Sequence, residues 1–325
     1  MRPQSHGFGM GLSIALLSGF CFGMSGTLAT GLLAVGWSPL GIVIPRVSIG
    51  ALAMLVPAIL ALRGRWRLLR KNWLLIVCYG VFGITTPQLG QFSAVQYMQV
   101  AQALLIQFLA PLVIVGWLWL RHGERPGVRT VLGSLLAVGG LMFVLQVNSG
   151  GLSLELRGLL WAVIALAGNT AYFVFSAENK SGLPPIVLAA GGMLVAAVLL
   201  GLFALLGVLP VHTEFATVVY AGADVPWWLP LVVLGVVCSA LSYLTGILGA
   251  RLLGPRLASF VGLSEVLFAI VMAALLVGQI LTGSQLFGGV LVLAGVVLVK
   301  LGEQPSPLER LESRPTYPRA ISKSS

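Results

Sequence analysis

Apolar residues occur along this chain of 325 residues in runs of about 20, the length that a helix needs to cross the hydrocarbon core of a bilayer. Ten such runs can be read, and we therefore predict an all-α integral membrane protein with ten transmembrane helices. The predicted spans are approximately 8–31, 39–62, 73–92, 100–120, 128–147, 156–177, 185–208, 227–249, 257–277 and 283–300. The third and fourth give the weakest signal, because the sequence from Gln88 to Gln107 is rich in glutamine.

The charged residues lie almost entirely between these spans, and the basic ones fall on alternate loops. One set of short loops holds Arg63, Arg65, Arg67, Arg70, Lys71, Arg121, Arg125, Arg129, Lys180, Arg251 and Arg256, whereas the opposite set holds Arg157 with Glu155, Glu214 and Asp224. The positive-inside rule places the first set in the cytoplasm. Ten spans then put both termini there: residues 1–7 and a tail, 302–325, that its prolines, serines and charges predict to be disordered. The net charge of +10 indicates topology and contact with anionic lipid, not nucleic-acid binding.

The chain also resembles itself at a fixed offset of 155 residues. Without gaps, Gly133 aligns with Gly288 and Gly140 aligns with Gly295. Each half, 8–147 and 156–301, then contains five predicted spans. Because five is odd, the second half must enter the membrane in the opposite orientation. Inverted repeats of this kind recur in secondary transporters, where the substrate site lies near the midplane between the halves.

Two charged residues, Arg46 and Glu265, fall well inside predicted spans. A charge there is costly and persists mostly where it faces protein or water. Glu265, about nine residues into the ninth span, suits a proton-coupling site or a contact for a substrate amine, and its alternative is a packing role as a neutral acid. Arg46 lies nearer the outer end of the second span. It either snorkels to the interface or faces the bundle interior, where it would bind a carboxylate or offset Glu265.

Uncharged polar residues within the spans form a second group of candidate binding residues. These are Tyr79, Gln88, Gln107, Asn169, Tyr172, Ser239 and Tyr243. If they face a cavity, they can hydrogen-bond a polar solute, and residues 88 and 91 share a helix face by their spacing. Gln91, Gln96 and Gln99 are interpreted instead as wet loop residues at the outer surface.

Other sequence motifs add little to the predicted function. No GxxxxGK[ST] sequence occurs, so nothing indicates an ATP-driven pump. Cys21, Cys78 and Cys238 are isolated within apolar spans and are interpreted as small core residues, not as disulfides or metal ligands. We expect no cofactor and no enzymatic activity, since the spans contain no carboxylate pair, zinc spacing or nucleophile elbow. Most span glycines are expected to let helices pack closely.

These residues resemble the EamA branch of the drug/metabolite transporter superfamily. The ninth span of that family often reads Leu-Glu-Pro-Val-Phe-Ala, and residues 264–269 are similar, with Glu265 on the family glutamate. Val266 replaces the proline, although Pro111 stands at the equivalent place in the first repeat. Arg46 matches an arginine that family members tend to carry in the second span.

The family's Gly-Glu before the last helix of a repeat is similar to Gly123-Glu124 and to Gly278-Gln279. The resemblance covers about residues 8–302 and implies a bacterial-type inner-membrane carrier, often an exporter of amino acids or related metabolites. It also implies a central cavity between the repeats, lined by the first, third, fourth, sixth, eighth and ninth spans.

Together these features predict a secondary transporter of small organic solutes in the plasma membrane, with amino acid or metabolite efflux by alternating access as the leading hypothesis. Proton coupling through Glu265 is one version of it. The alternatives are uncoupled uptake or facilitated diffusion, and a non-transporting membrane scaffold. Lipids and a small-molecule substrate are the expected partners. The chain is a monomer or a homodimer, because small-residue faces can pack within one chain or between two.

Overall fold

A computed structural model describes residues 4–94, 97, 100–123, 126–144, 155–207, 210–278 and 282–302. The described chain is mostly helical, in keeping with its apolar runs. Its helices are α1 (Gln4–Ala34), α2 (Pro39–Ala61), α3 (Trp66–Lys71), α4 (Trp73–Cys78), α5 (Thr86–Ala94), α6 (Val100–Gln107), α7 (Ala110–His122), α8 (Val128–Val144), α9 (Leu156–Ser176), α10 (Pro185–Leu205), α11 (Trp228–Gly235), α12 (Ser242–Gly262), α13 (Ser264–Val277) and α14 (Gly283–Gly302). Two π-helical segments, π1 (Tyr79–Thr85) and π2 (Val236–Leu241), join α4 to α5 and α11 to α12.

Six helical stretches of the described chain are long and apolar enough to cross a membrane: Phe8–Ala34, Pro39–Ala61, Trp73–Gln91, Leu156–Ser176, Pro185–Leu205 and Trp228–Gly262. The other four predicted spans contain shorter apolar helices. The fourth is interrupted at Phe108 and Leu109, and the ninth at Leu263. The described structure therefore does not confirm ten uninterrupted spans. The sequence did not predict the interruptions, because a local break in backbone hydrogen bonding does not change the hydrophobic pattern.

A short β-hairpin is an exception to the predicted all-α fold. Strands β1 (Val218–Tyr220) and β2 (Ala223–Val225) pair antiparallel, with Val218 opposite Val225. Ala221 and Gly222, between them, both have positive φ angles, which a tight reversal of the chain requires. The hairpin lies between α10 and α11, on the side of the bundle where α1 ends and α2 begins.

The backbone irregularities occur at matching places in the two halves. Shifted by the 155-residue offset, π1 overlaps π2, and the interruption at Phe108 falls on Leu263. The packing matches as well. Helix α2 contacts α11 and π2, just as α10 contacts α4 and π1, while α1 contacts α12 and α13, just as α9 contacts α5 and α6. The two halves therefore share local structure and exchange equivalent contacts.

Helices α8 and α14 pack against each other through the glycines that defined the repeat. A Cβ atom on Gly133 would lie 2.7 Å from the Gly295 carbonyl oxygen, and one on Gly140 would lie 2.6 Å from that of Gly288. Position rises along one helix as it falls along the other, so the helices run antiparallel. Gly133 contacts Gly295, the repeat equivalent of Gly140, and Gly140 contacts Gly288, the repeat equivalent of Gly133. A two-fold axis that relates the two halves produces this reciprocal pattern. Small residues thus allow the close packing that the sequence predicted.

Candidate functional site

A cavity of about 390 Å³ lies between the two halves. Helices α1 and α2 line it on one side, α9, α12 and α13 on another, and the chain from π1 to α6 completes the wall. Most of the lining is apolar. Its polar residues are Ser18, Ser25, Thr30, Arg46, Gln88, Gln91, Gln107, Asn169, Tyr172, Tyr243 and Glu265. An apolar chamber with a few polar groups is the usual form of a small-molecule site.

Glu265 enters this cavity from the first turn of α13. The sequence placed it deep inside one helix, but the interruption at Leu263 makes it an N-terminal residue, where the positive end of the helix dipole stabilises a carboxylate. Two glycines of α1 bring the helices together here. A Cβ atom on Gly19 would lie 2.8 Å from Ser264 Oγ, and one on Gly23 would lie 2.8 Å from the Glu265 carbonyl oxygen. Because Gly19 and Gly23 have no side chain, α1 can pack directly against the turn that carries Glu265.

Arg46 faces the bundle interior and does not snorkel to the interface. Only 7% of its surface is exposed, and it lines the cavity from α2. Its Nε donates to Ser239 Oγ at 2.9 Å, and its Nη2 donates to the Cys238 carbonyl oxygen at 3.0 Å. Both acceptors belong to π2, where the change from α-helical hydrogen bonding alters which carbonyl groups are paired. Arg46 therefore ties α2 to π2 at the cavity wall.

Arg46 and Glu265 share the cavity without forming an ion pair in the described part of the chain. They interact electrostatically at longer range. The sequence left a direct pair open, and the structure instead directs the arginine to π2. The carboxylate is left facing the cavity, where it can contact a solute or exchange a proton.

Five of the uncharged candidates line the cavity, namely Gln88, Gln107, Asn169, Tyr172 and Tyr243, and their binding of a solute stays a prediction. The amide of Asn169 donates to the Gln107 carbonyl oxygen at 3.2 Å, at the helix interruption in the first half.

Two other candidates lie behind the cavity wall. Tyr79 is fully buried, with its hydroxyl 3.3 Å from Ser176 Oγ, and Ser239 is fully buried under Arg46. Polarity within a span does not reveal which of its faces meets the cavity.

Several residues that line the cavity were not predicted from the sequence. Gln91 lines the cavity from α5, and its Oε1 is buried without a hydrogen-bond partner in the described structure, so its interpretation as a wet loop residue was wrong. Ser18 and Ser25 line it from α1. Their spacing of seven residues places them on one helix face, and that pattern could have identified them. Gln96 and Gln99 lie outside the described residues, as do Glu124 and Gln279.

The cavity is closed at one end and reaches exposed residues at the other. Near the start of α1, Gly249 packs on Ala15 and Gly11 on Leu252, so α1 and α12 meet without a gap. At the other end the lining reaches Thr30 and Leu33 of α1, both of which are exposed. Access in this conformation is therefore from the side where α1 ends.

The segment before α11 covers the rim of the open end, and we call residues 210–227 the strap. The Trp37 indole N–H donates to the Glu214 carbonyl oxygen, and the Tyr220 hydroxyl donates to that of Leu28 in α1. Burial raises the pKa of Tyr220 to about 12, so the hydroxyl keeps its proton at neutral pH. The amide of Ala221 donates to the Leu276 carbonyl oxygen at 2.8 Å. The strap thus joins α1 to α13 beside the entrance.

These groups are suited to reversible binding of a solute. Within the described ranges, no group of three or more His, Cys, Asp and Glu residues is placed to hold a metal ion. Amides, hydroxyls, one carboxylate and one guanidinium remain, and all of them can hydrogen-bond a solute without chemical change.

A bundle of apolar helices in two matching halves, with a mostly apolar cavity that carries a few polar groups between them, is typical of membrane transport proteins. The EamA-like transporter family matches residues 9–146 and 156–301, one match to each half. The chain therefore belongs to the EamA-like transporter family, which confirms the resemblance that its residues suggested. With six helical stretches in its described part that are long and apolar enough to cross a membrane, it is a multi-pass membrane transporter.

Two proteins named as transporters are similar to the chain in sequence, and one solved structure is similar to it in fold. The uncharacterized inner membrane transporter YicL of Salmonella typhimurium strain LT2 is 28% identical over 238 residues, or 71% of this chain and 74% of YicL. An uncharacterized transporter of Archaeoglobus fulgidus is 28% identical over 63% of this chain and 69% of its own length. A solved crystal structure superposes with a TM-score of 0.71 at 23% identity, over 93% of this chain and 99% of the other, and so shows the same fold.

Proposed function

We propose that this protein is a secondary transporter that exports small organic metabolites, with amino acids among the candidates, by alternating access between two inverted five-helix repeats. The observation that carries the proposal is the cavity between the halves, into which Glu265 faces. A buried chamber with one end closed and one end accessible is what a carrier needs, because the two ends must never open together.

The antiparallel packing of α8 against α14 supports the inverted arrangement. These are the last helices of the two repeats, and an inverted pair must run in opposite directions. In this proposal the interrupted helices complete the ten spans, α6 with α7 as the fourth and the end of α12 with α13 as the ninth. Both termini then lie in the cytoplasm, as the basic loops require.

With that orientation, the structure corresponds to an outward-facing state. The accessible end of the cavity, near Leu33, lies on the periplasmic side, and the contact of Gly249 with Ala15 closes the cytoplasmic side. Conversion to the inward-facing state would separate α1 from α12 there and bring the halves together beneath the strap. Equivalent contacts in the two halves give both states a similar set of interfaces.

Glu265 is the proposed coupling group. It is half-buried and lines the chamber, so it can exchange a proton with whichever side the cavity faces. Protonation removes its charge and lets the empty site pass through the closed state. A substrate amine bound at the carboxylate compensates the charge in the same way.

Flux from proteoliposomes loaded with radiolabelled amino acids, amines and other metabolites tests the proposal, with and without a pH gradient. We expect at least one solute to move faster when the gradient is imposed, and Glu265→Gln to remove that acceleration. Glu155→Gln is a matched control, since Glu155 precedes α9 at an exposed position. Flux that ignores both the gradient and Glu265 would disprove the coupling, and no flux of any solute through folded protein would favour a scaffold.

A further inference from the structure

The hydrogen bonds of Arg46 bear on the class of solute that the cavity accepts. Arginine binds a carboxylate best through two parallel N–H groups. In this structure Nε and Nη2, which form one such edge of the guanidinium group, donate to Ser239 Oγ and the Cys238 carbonyl oxygen. A substrate carboxylate that leaves these bonds in place can use only the end-on edge, formed by Nη1 and the second N–H of Nη2. Half of the bidentate capacity of Arg46 is therefore already committed to π2.

Glu265, the negatively charged residue of the cavity, differs from Arg46 in its hydrogen bonding. Within the part of the chain that the structure describes, the Glu265 carboxylate accepts no hydrogen bond, although it lines the chamber. An ionised carboxylate away from bulk water is costly until it is paired. An ammonium group supplies three N–H donors and a positive charge. A protonated amine can therefore give the Glu265 carboxylate both a hydrogen bond and a compensating charge.

The remaining lining suits an apolar body attached to that amine. Phe22, Tyr172 and Tyr243 pack edge to face beneath the chamber, with ring centroids 4.9 Å apart for Phe22 and Tyr243 and 5.6 Å apart for the two tyrosines. All three line the cavity, together with Phe108 and Phe173. Aromatic surfaces attract both apolar groups and cations. A volume of about 390 Å³ is near the lower end for ligand pockets, so the solute is small.

We infer that the substrate class is small primary amines with an apolar or aromatic body, and that a carboxylate on the solute weakens binding. This inference rests on the proposed transport function and refines its substrate. The amine contacts Glu265, the body lies against the aromatic residues, and Arg46 remains tied to π2. An amino acid fits less well, because Glu265 in the same chamber repels its carboxylate and only one edge of Arg46 is free to offset that repulsion.

Three probes that share one aromatic body test this inference: phenethylamine, phenylalanine and 3-phenylpropionate. Calorimetric titration into the purified full-length protein should give the tightest binding for phenethylamine, about tenfold weaker binding for phenylalanine, and none for 3-phenylpropionate. Glu265→Gln should abolish phenethylamine binding. Equal or tighter binding of phenylalanine, or no binding of phenethylamine, would overturn the inference.

Ser239→Ala provides a sharper test, because it removes the acceptor of Arg46 Nε and frees that N–H for a carboxylate. We expect phenylalanine to bind several-fold tighter to this variant, with phenethylamine unchanged. Thr245→Val is the matched control, since the buried Thr245 hydroxyl donates to the Leu241 carbonyl oxygen at 2.7 Å and to neither acceptor of Arg46. A Ser239→Ala variant without this gain would refute the role given to Arg46.

Flux measurements separate failure of this inference from failure of the proposed function. If phenylalanine crosses proteoliposome membranes and phenethylamine does not, the protein is a carrier and only the amine preference is wrong. If none of the metabolites moves through folded protein, both are wrong. Movement of phenethylamine that exceeds that of phenylalanine supports both.

Discussion

The two halves of the molecule repeat one backbone with different chemistry at its interruption. In the first half, the break at Phe108 and Leu109 is followed by Ala110 and Pro111. In the second, the break at Leu263 is followed by Ser264 and Glu265, so the carboxylate occupies the place of an alanine. The backbone irregularity serves both repeats, whereas the ionisable group is present in only one. The backbone is similar in the two halves, but the ionisable side chains that line the cavity are not.

The π-helical segments differ in the same way. In π1 the hydroxyl of Thr85 donates to the Gly80 carbonyl oxygen at 3.0 Å, and that of Thr86 donates to Val81 at 2.7 Å. In π2 the Cys238 carbonyl oxygen accepts from the Ser242 hydroxyl at 2.7 Å and also from Arg46 of the other half at 3.0 Å. The first segment is satisfied by its own helix, whereas the second is satisfied by its own helix and by a residue of the cavity wall. Solute binding can therefore affect π2 more directly than π1.

The largest effect on this comparison is expected from Glu265→Gln, which makes the two interruptions equally uncharged. The pH-gradient dependence of solute flux should disappear while the protein stays folded, because a glutamine of similar shape retains the packing but cannot release a proton. Flux from proteoliposomes and gel filtration in detergent measure the two outcomes. Retained gradient dependence would assign Glu265 a packing role.

The α8–α14 contact tests the symmetry itself. Gly140→Ala should lower the free energy of unfolding by about 1–3 kcal/mol, because the new Cβ would lie 2.6 Å from the Gly288 carbonyl oxygen. Gly139→Ala is the matched control, since a Cβ there meets nothing within 4 Å and the helix propensity gained is the same. Unfolding of both variants in detergent measures the difference. Equal stability would show that the helices adjust.

A reciprocal pair sharpens this test. Gly140→Ala and Gly295→Ala are the repeat-equivalent changes, and each places a Cβ 2.6 Å from a carbonyl oxygen of the facing helix, that of Gly288 or that of Gly133. Repeat symmetry predicts that they destabilise the protein to the same extent. If the two variants lose clearly different free energies of unfolding, the two halves share only their backbone path and not the energetics of their packing.

Arg46→Lys should loosen π2 and leave π1 unchanged. Lysine cannot reproduce the two directed N–H donors, and a hydrogen bond from a charged group contributes about 1.5–3 kcal/mol. Amide hydrogen exchange across residues 236–241 should rise by about tenfold, while residues 79–85 serve as the internal reference. Thr85→Val is the converse variant and should loosen π1 alone. Equal responses of both segments would contradict independent stabilisation.

The smallest effect is expected at the strap, which the first half lacks: its corresponding connection, between α2 and α4, is only residues 62–72 and contains the short helix α3. Tyr220→Phe removes the hydrogen bond to Leu28 and keeps the ring packed against Gly31, at a cost of about 1 kcal/mol. Thermal unfolding in detergent measures the loss, and Val219→Ala, at the exposed position between two buried ones, is the control. A Tyr220 variant as stable as the control would show that the strap is held by its other contacts.

Sequence reasoning located the helices better than it located their faces. Gln88, Gln107, Asn169, Tyr172 and Tyr243 were identified as cavity residues from their polarity within spans, and they line the cavity. The same reasoning included Tyr79 and Ser239, which lie behind the wall, and misplaced Gln91. Whether a polar side chain meets a cavity or another helix depends on how each helix is rotated, and that depends on packing partners distant in the chain.

The order of apolar and polar residues was enough to predict a membrane protein, the repeat of the two halves and the two charges within its spans, because the cost of exposing polar groups to hydrocarbon leaves a direct pattern in the residue order. Tertiary structure alone decided that Arg46 turns toward π2, that Glu265 begins a helix, and that the cavity opens where α1 ends. These features depend on close contacts between residues nearly 200 positions apart, such as Arg46 with Ser239, and no local pattern encodes them.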